Sequence, residues 1–221
     1  MADIQLNSVT LATESGGTVV LDSAVQDNIT RLGTVASGVI GSAVTGTIGT
    51  GVALPTGCVV QIVQGGTQAK VTTAGTTARQ DITGFNASIT PKQAGSQILI
   101  HWAYMHCTSN AVTSSAYMQR VIGSGSWADL SGAMGTDPGG SLGDPAIGHT
   151  GGSTSESWNS NNQAGSYLDS PSYTLTEEIS YKIGSINENA NDAIVYGSTV
   201  RDSTGYHPRS RSMLILMEVA G

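Results

Sequence analysis

The segment between Gly33 and Ala53 repeats itself. Ser37-Gly38-Val39-Ile40-Gly41-Ser42-Ala43-Val44 is followed in register by Thr45-Gly46-Thr47-Ile48-Gly49-Thr50-Gly51-Val52, so that glycines, one isoleucine and one valine recur at a spacing of eight. An internal repeat constrains a fold more than any single motif, because each unit must bury its few apolar side chains against a neighbour. This unit has almost no large side chain with which to build a core, and its glycines cost backbone entropy unless something requires them. Close approach of neighbouring chains around a shared axis is such a requirement. The alternative is a flexible Gly/Ser/Thr linker, which has no use for Val39, Ile40, Val44, Ile48 and Val52. We therefore expect residues 33–53 to form a short intertwined stem with these five side chains at a homotrimer interface. Two repeats make it a stub.

Residues 1–32 read as a docking arm. Ile4, Leu6, Val9 and Leu11 alternate with polar neighbours, and Gly16-Gly17 precedes the β-branched run Thr18-Val19-Val20, a pattern of extended segments. One short helix follows: Asp22 or Ser23 serves as N-cap, Val25, Ile29 and Leu32 fall at i, i+4 and i+7, and Gly33 supplies the stop. Helices shorter than about 12–15 residues are marginal alone, so the stripe needs a partner. Three copies around the trimer axis provide one, and packing on the chain's own β-domain serves equally.

From residue 54 to 221 the chain reads as one β-domain. Charged residues make up 11% of the sequence and 29 residues are Gly, with Ser, Thr and Asn abundant, so helix formers are scarce. Cys58 to Gln64 is apolar almost throughout and Gly65-Gly66 is expected to turn it. Ile82, Phe85 and Ile89 change parity once, which suggests a bulge at Gly84. Gln97 to Cys107, apolar on both parities, is expected to be central. Ala116 to Ile122, an alternating strand from Tyr173 to Ile183 with Glu177 as its misfit, Ala193 to Val200 and Met213 to Val219 complete the set. Short strands parted by turn signals indicate an all-β, jelly-roll-like β-sandwich. Residues 123–170, rich in Gly, Ser, Asn, Asp and Pro, are expected to be a long loop.

Several function classes are disfavoured. Nine Lys and Arg against a net charge of −7 leave no basic surface to replace phosphate counterions, so no nucleic-acid partner is expected. No run approaches the roughly 20 apolar residues of a membrane span, and Met1-Ala2-Asp3 lacks the parts of a signal peptide, so we expect a soluble chain made in a cytosol with no membrane insertion. Cys58 and Cys107 permit one disulfide but read more simply as two buried thiols. His101 and His106 are an odd number apart on one strand and point to opposite faces, and His149 and His207 stand alone. Signatures of serine hydrolases, zinc proteases and phosphate loops are absent. Asp137, Asp144, Glu156 and Asp169 supply enough carboxylates for a glycosidase pair, although carboxylates scattered in a polar loop more often solubilise it. We expect no enzyme, no cofactor and no metal.

The aromatic residues of the 123–170 region suit another task. An exposed indole or phenol covers the apolar face of a sugar ring, while neighbouring Asn, Asp and Ser exchange hydrogen bonds with its hydroxyls. Trp127 with Asp129, Trp158 with Asn159, Asn161 and Asn162, and Tyr167 are the candidate glycan contacts. Indoles folded back over small local cores are the plainer alternative.

Several pieces together carry a resemblance. They are Gly46 to Val52 followed by Leu54-Pro55-Thr56-Gly57-Cys58-Val59-Val60-Gln61; Asp81-Ile82-Thr83-Gly84 leading to Ser88-Ile89-Thr90-Pro91; Ser96-Gln97-Ile98-Leu99-Ile100; Leu168-Asp169-Ser170-Pro171; and Leu214 to Ala220 with Met217-Glu218-Val219. In order and spacing they resemble the tail-fibre or spike-like virion structural proteins of marine and cyanobacterial phages. The resemblance implies a homotrimeric virion protein whose N-terminal part attaches to other virion proteins of tail or capsid. Its C-terminal domain is then expected to face outward, and host surface polysaccharide is the partner expected from the loop aromatics rather than from the resemblance. A capsid decoration or cement protein (a head fibre) without a receptor is the alternative, and a glycan-degrading fibre enzyme a third. No family residue roles carry over to this chain.

Overall fold

Period-two patterning and the scarcity of helix formers predict strands, and every described element except one 3-10 turn, Ser131–Ala133, is a strand. The computed structural model describes residues 3–6, 9–15, 18–21, 54–73, 78–108, 114–135, 146–150, 160–187, 194–197 and 210–221. The chain divides into two compact units, Met1–Thr47 and Ile48–Gly221. The expected helix with Val25, Ile29 and Leu32, and the expected stem with Val39, Ile40, Val44, Ile48 and Val52, lie outside the described residues.

In the first unit the expected extended segments pair with one another. Strands β1 (Asp3–Leu6), β2 (Val9–Ser15) and β3 (Thr18–Leu21) form an antiparallel sheet in the order β1-β2-β3, with a register shift between Ile4 and Gln5.

The second unit contains two antiparallel sheets and is β-sandwich-like. One sheet joins β4 (Val59–Thr67), β14 (Ser212–Val219), β7 (Gln97–Thr108) and β11 (Ser160–Asp169) in that lateral order, with β5 (Val71–Thr73) and β13 (Ile194–Tyr196) continuing beside the far end of β7. The other sheet runs β10 (Gly148–Thr150), β8 (Ser114–Ile122), β12 (Ile179–Asn187), β6 (Gln80–Ile89), and β9 (Ala128–Asp129) also pairs with β8. As expected, β7 is central, hydrogen-bonded to β14 and β13 on one side and to β11 on the other. Its even-numbered residues Ile98, Ile100, Trp102 and Tyr104 face the core, where they meet Ile82, Phe85, Ile89, Met118, Ile179, Ile183, Leu214 and Leu216 from the other strands. At about 25 cal/mol per Å² of apolar surface removed from water, this cluster is the main force holding the sheets face to face.

Three details correct the expectations. Gly65-Gly66 does not end β4: both residues stay in the ladder, opposite Leu214 and Met213. Gly65 is needed for approach, because a Cβ there would collide with the Asn86 carbonyl oxygen and Ala87 Cβ of β6, so the two sheets meet backbone against backbone along this edge. The strand expected from Tyr173 begins at Ile179 instead. Thr174 to Glu177 closes a turn, with the Glu177 amide donating to Thr174 O (3.0 Å) and the Thr174 amide donating to Glu177 Oε2 (2.7 Å), so Glu177 occupies no inner face. The region 123–170, expected as one long loop, contains β9, β10 and the ten-residue β11, whose odd-numbered residues turn inward. The bulge at Gly84 is present: Lys182 opposes Asn86 while Gly184 opposes Asp81, and Gly84 takes the left-handed φ of +76° that relieves the extra residues.

One end and the second edge are closed by polar groups. Glu218 on β14 is fully buried. Its carboxylate accepts from the Lys92 amide (2.9 Å), the Gln93 amide (2.9 Å) and Gln61 Nε2 (2.7 Å), and Gln61 Nε2 also donates to Thr90 O (2.7 Å). These bonds pin the crossover that carries the chain from β6 in one sheet to β7 in the other. Tyr173 donates to Gln93 O at 2.7 Å on the same crossover. Across the opposite edge, buried Asp169 of β11 accepts from Arg120 of β8 at both oxygens (2.7 Å) and from the Tyr181 hydroxyl of β12 (2.7 Å). Both cysteines are free thiols, Cys107 fully buried and Cys58 half-buried. Val219 opposes both Val59 and Gln97, so Cys58 lies beside the start of β7 and Cys107 ten residues along it. At about 3.3 Å per residue that separation is roughly 33 Å, far beyond disulfide reach.

Candidate functional site

An open groove of about 250 Å³ lies on the outer face of the β10-β8-β12-β6 sheet, lined by Asp81, Ile82, Thr83, Gly84, Asn86, Trp127 and Lys182. Each element contributes for a local reason. The chain leaves β8 through a tight turn at Gly123 (φ +53°), whose amide donates to Glu178 O (2.8 Å), and the Gly125 amide donates to Ile122 O (3.0 Å). This hairpin returns along β8 as β9 and carries Trp127 over the sheet. Lys182 points outward from β12, where its neighbours in the ladders are Asn86 and Gln119. The bulge of β6 spreads Asp81, Thr83 and Asn86 around the same space.

Lys182 organises the groove. Its ammonium sits 4.4 Å from the centroid of the Trp127 ring and 2.8 Å and 2.9 Å from the two oxygens of Asp81. The cation holds the indole by attraction to its π face. Trp127 nevertheless remains 40% exposed, and the side chain of Asp81 is 64% exposed while that of Lys182 is 15% exposed. An apolar ring surface thus stands beside an accessible carboxylate, an exposed amide (Asn86) and a hydroxyl (Thr83). The volume is below the roughly 300–1,000 Å³ of a closed small-molecule pocket.

The remaining candidate residues are dispersed. Asp129, expected to act with Trp127, is held by Arg79 Nη1 at 2.6 Å and 2.7 Å and by Gln119 Nε2 at 2.9 Å. The hydrogen bond from Arg79 is the main reason that its carboxyl stays below the usual carboxylate range. Arg79 also stacks over Tyr117 at 4.8 Å, so Asp129 serves to fix the hairpin and cover that ring. Asn161 and Asn162 lie on β11 in the other sheet, opposite His106 and Met105. Tyr167 is half-buried against the core, with its hydroxyl over Gly132. Trp158 and Asn159 lie outside the described residues. Asp169, expected as a loop carboxylate, is the buried partner of Arg120 and Tyr181.

The histidines part as expected. His106 is buried beside Tyr104 and Tyr196 (ring centroids 5.6 Å and 6.0 Å), and His101 is half-buried on the opposite face. Among the described residues no three His, Cys, Asp or Glu side chains are grouped so as to hold a metal ion. No helix among them is long and apolar enough to cross a membrane. Lys182 and Asp81 were missed as site residues, although Lys182 stood out as a lone cation on an alternating strand and Asp81 lies three residues before the bulge glycine. What no sequence pattern revealed is that they meet beneath Trp127. Neither the family models nor the curated proteins compared with the chain match it.

Proposed function

We propose that this protein is a structural, non-enzymatic subunit of a phage particle, a short homotrimeric fibre or spike. Its β-sandwich displays the Trp127 groove to host surface polysaccharide. Virion membership rests on the sequence pieces from Gly46 to Ala220 quoted above. The strand order β4-β14-β7-β11 over β10-β8-β12-β6, in which successive strands cross between sheets, supports the jelly-roll reading of the domain.

The observation that carries host contact is the exposed indole of Trp127, fixed by Lys182 and flanked by Asp81 and Asn86. A pyranose lays its apolar face on such a ring and exchanges hydroxyl hydrogen bonds with a carboxylate and an amide. A ring already held by its neighbours loses little entropy on binding. In this reading residues 1–32 attach to the particle and residues 33–53 hold the three copies together.

The test is adsorption competition. Purified chain is expected to compete with phage for host cells, and Trp127→Ala, which removes most of the ring surface while leaving the core untouched, is expected to weaken competition at least tenfold. Equal competition by wild type and Trp127→Ala refutes the groove as the contact. If omission of the protein destabilises heads and leaves adsorption unchanged, the chain is a capsid decoration protein.

A further inference from the structure

The two outer faces of the sandwich differ in kind. Over the β10-β8-β12-β6 sheet the outward side chains are polar and ion-paired, with Arg79 on Asp129 and Lys182 on Asp81. Over the other sheet, register places three continuous rows across four strands. Ile62, Met217, Leu99 and Leu168 form the first row, Gln64, Ile215, His101 and Ser166 the second, and Gly66, Met213, Ala103 and Ala164 the third. Residues directly opposite in antiparallel ladders share a face, and the inward residues of these strands, Ile98, Ile100, Leu214 and Leu216, are fully buried. The three rows therefore point away from the core. They contain no Asp, Glu, Lys or Arg. Ile62 is 60% exposed and Leu168 43% exposed, and Val59, 51% exposed, extends the patch beside Val219.

We infer that this face is where copies of the chain meet, an inference that rests on the proposed self-association and assigns it a surface. Its size is right. Four strands about 4.8 Å apart and seven residues at about 3.3 Å give a footprint of roughly 400 Å², at the level of the largest apolar patch on an ordinary monomer, which commonly marks an interaction site. Gln97 and Asn162 border it, and Gln64, His101 and Ser166 cross its middle row beside Ile215, so apolar surface is combined with hydrogen-bonding groups as in a specific interface. Its charge selects a second copy as the occupant. The whole chain carries a net charge of −7, so two copies repel wherever their surfaces are acidic. They approach without like-charge cost where both present an uncharged apolar face.

The experiment uses the full chain. Wild type is expected to be trimeric by light scattering, with Met213 and Met217 oxidised by peroxide at least tenfold more slowly at high than at low protein concentration. Core Met118 is expected to oxidise slowly throughout, as an internal control. Ile62→Glu/Leu168→Glu, placed at exposed positions, is expected to remain folded by circular dichroism and to oxidise Met213 and Met217 at the dilute wild-type rate at every concentration, even where residues 33–53 still hold the copies together. A wild-type trimer whose Met213 and Met217 oxidise equally fast at all concentrations overturns this surface while leaving self-association in place. A monomer at all concentrations overturns both. The dilution series on the unmodified chain decides the matter should the double variant not fold.

Discussion

Replacing Glu218 tests whether a buried acceptor, more than the apolar contacts around it, closes the end of the sandwich. Its carboxylate has no exposure and receives the Lys92 and Gln93 amides and Gln61 Nε2. Glu218→Ala leaves three donors without a partner in a space closed to bulk water. Each orphaned donor costs about 1–3 kcal/mol, and partial rehydration of the new cavity returns some of it, so a net loss of about 3–5 kcal/mol is expected. At about 2–4 °C per kcal/mol for a domain of this size, Tm falls by roughly 10 °C or more. Glu218→Gln keeps the shape and one acceptor oxygen but turns an NH2 group toward a donor. Gln61 can relieve that clash by flipping its amide, which gives up its bond to Thr90 O. The glutamine variant should therefore lose less, about 1–3 kcal/mol. Urea and thermal unfolding followed by circular dichroism measure both. The reasoning is refuted if both variants lie within about 0.5 kcal/mol of wild type, or if glutamine is the more damaging of the two.

Three further outcomes follow from the same structure. Arg120→Ala leaves buried Asp169 with Tyr181 as its remaining hydrogen-bond donor; because the Arg120 side chain is 27% exposed, the loss in urea unfolding should fall near the lower end of the ~3–5 kcal/mol for breaking a buried pair. Gly65→Ala drives a Cβ into the β6 backbone and should cost about 1–3 kcal/mol by overpacking, with no effect expected from the same change at Gly57, where nothing lies within 4 Å, beyond that of its positive φ. Burial is the main cause that raises the phenols of Tyr104 and Tyr181, and it pushes Tyr196 up to about 12. Their folded values exceed the unfolded value of about 10, so the stability they contribute is complete below pH 10 and is lost as pH rises toward 12. Ultraviolet titration should show these three ionising together with unfolding; ionisation in the folded state near pH 10 would contradict their burial.

Much of the sandwich was legible because strand pattern is local. Val59–Thr67, Gln97–Thr108, Ser114–Ile122 and Ser212–Val219 each carry enough apolar side chains at the right period to declare themselves. The breadth of apolar sequence in Gln97 to Cys107 likewise foretold its central place. Two failures share one cause. Gly65-Gly66 read as a turn and residues 160–169 read as loop because small polar residues carry no period, yet Gly65 is selected by the backbone of β6 and β11 by the ten-residue ladder that β7 offers it. Tyr173 and Leu175 failed in the opposite sense, since their alternation is accidental and hydrogen bonds from Thr174 to Glu177 decide the conformation.

The amino-acid sequence by itself determined the all-β class, the bulge at Gly84 and the opposite facings of His101 and His106. These depend on neighbours within a few positions of one another, whose side chains alternate or whose backbone freedom is intrinsic. The tertiary structure alone decided that Lys182 and Asp81 meet at Trp127, that Asp129 is spent on Arg79, and that Glu218, a lone acid in an apolar strand, is satisfied by residues 125 and 126 positions away. It also aligned Ile62, Met217, Leu99 and Leu168 into one row. Pairing across strands distant in sequence depends on register, and register is a property of the assembled sheet.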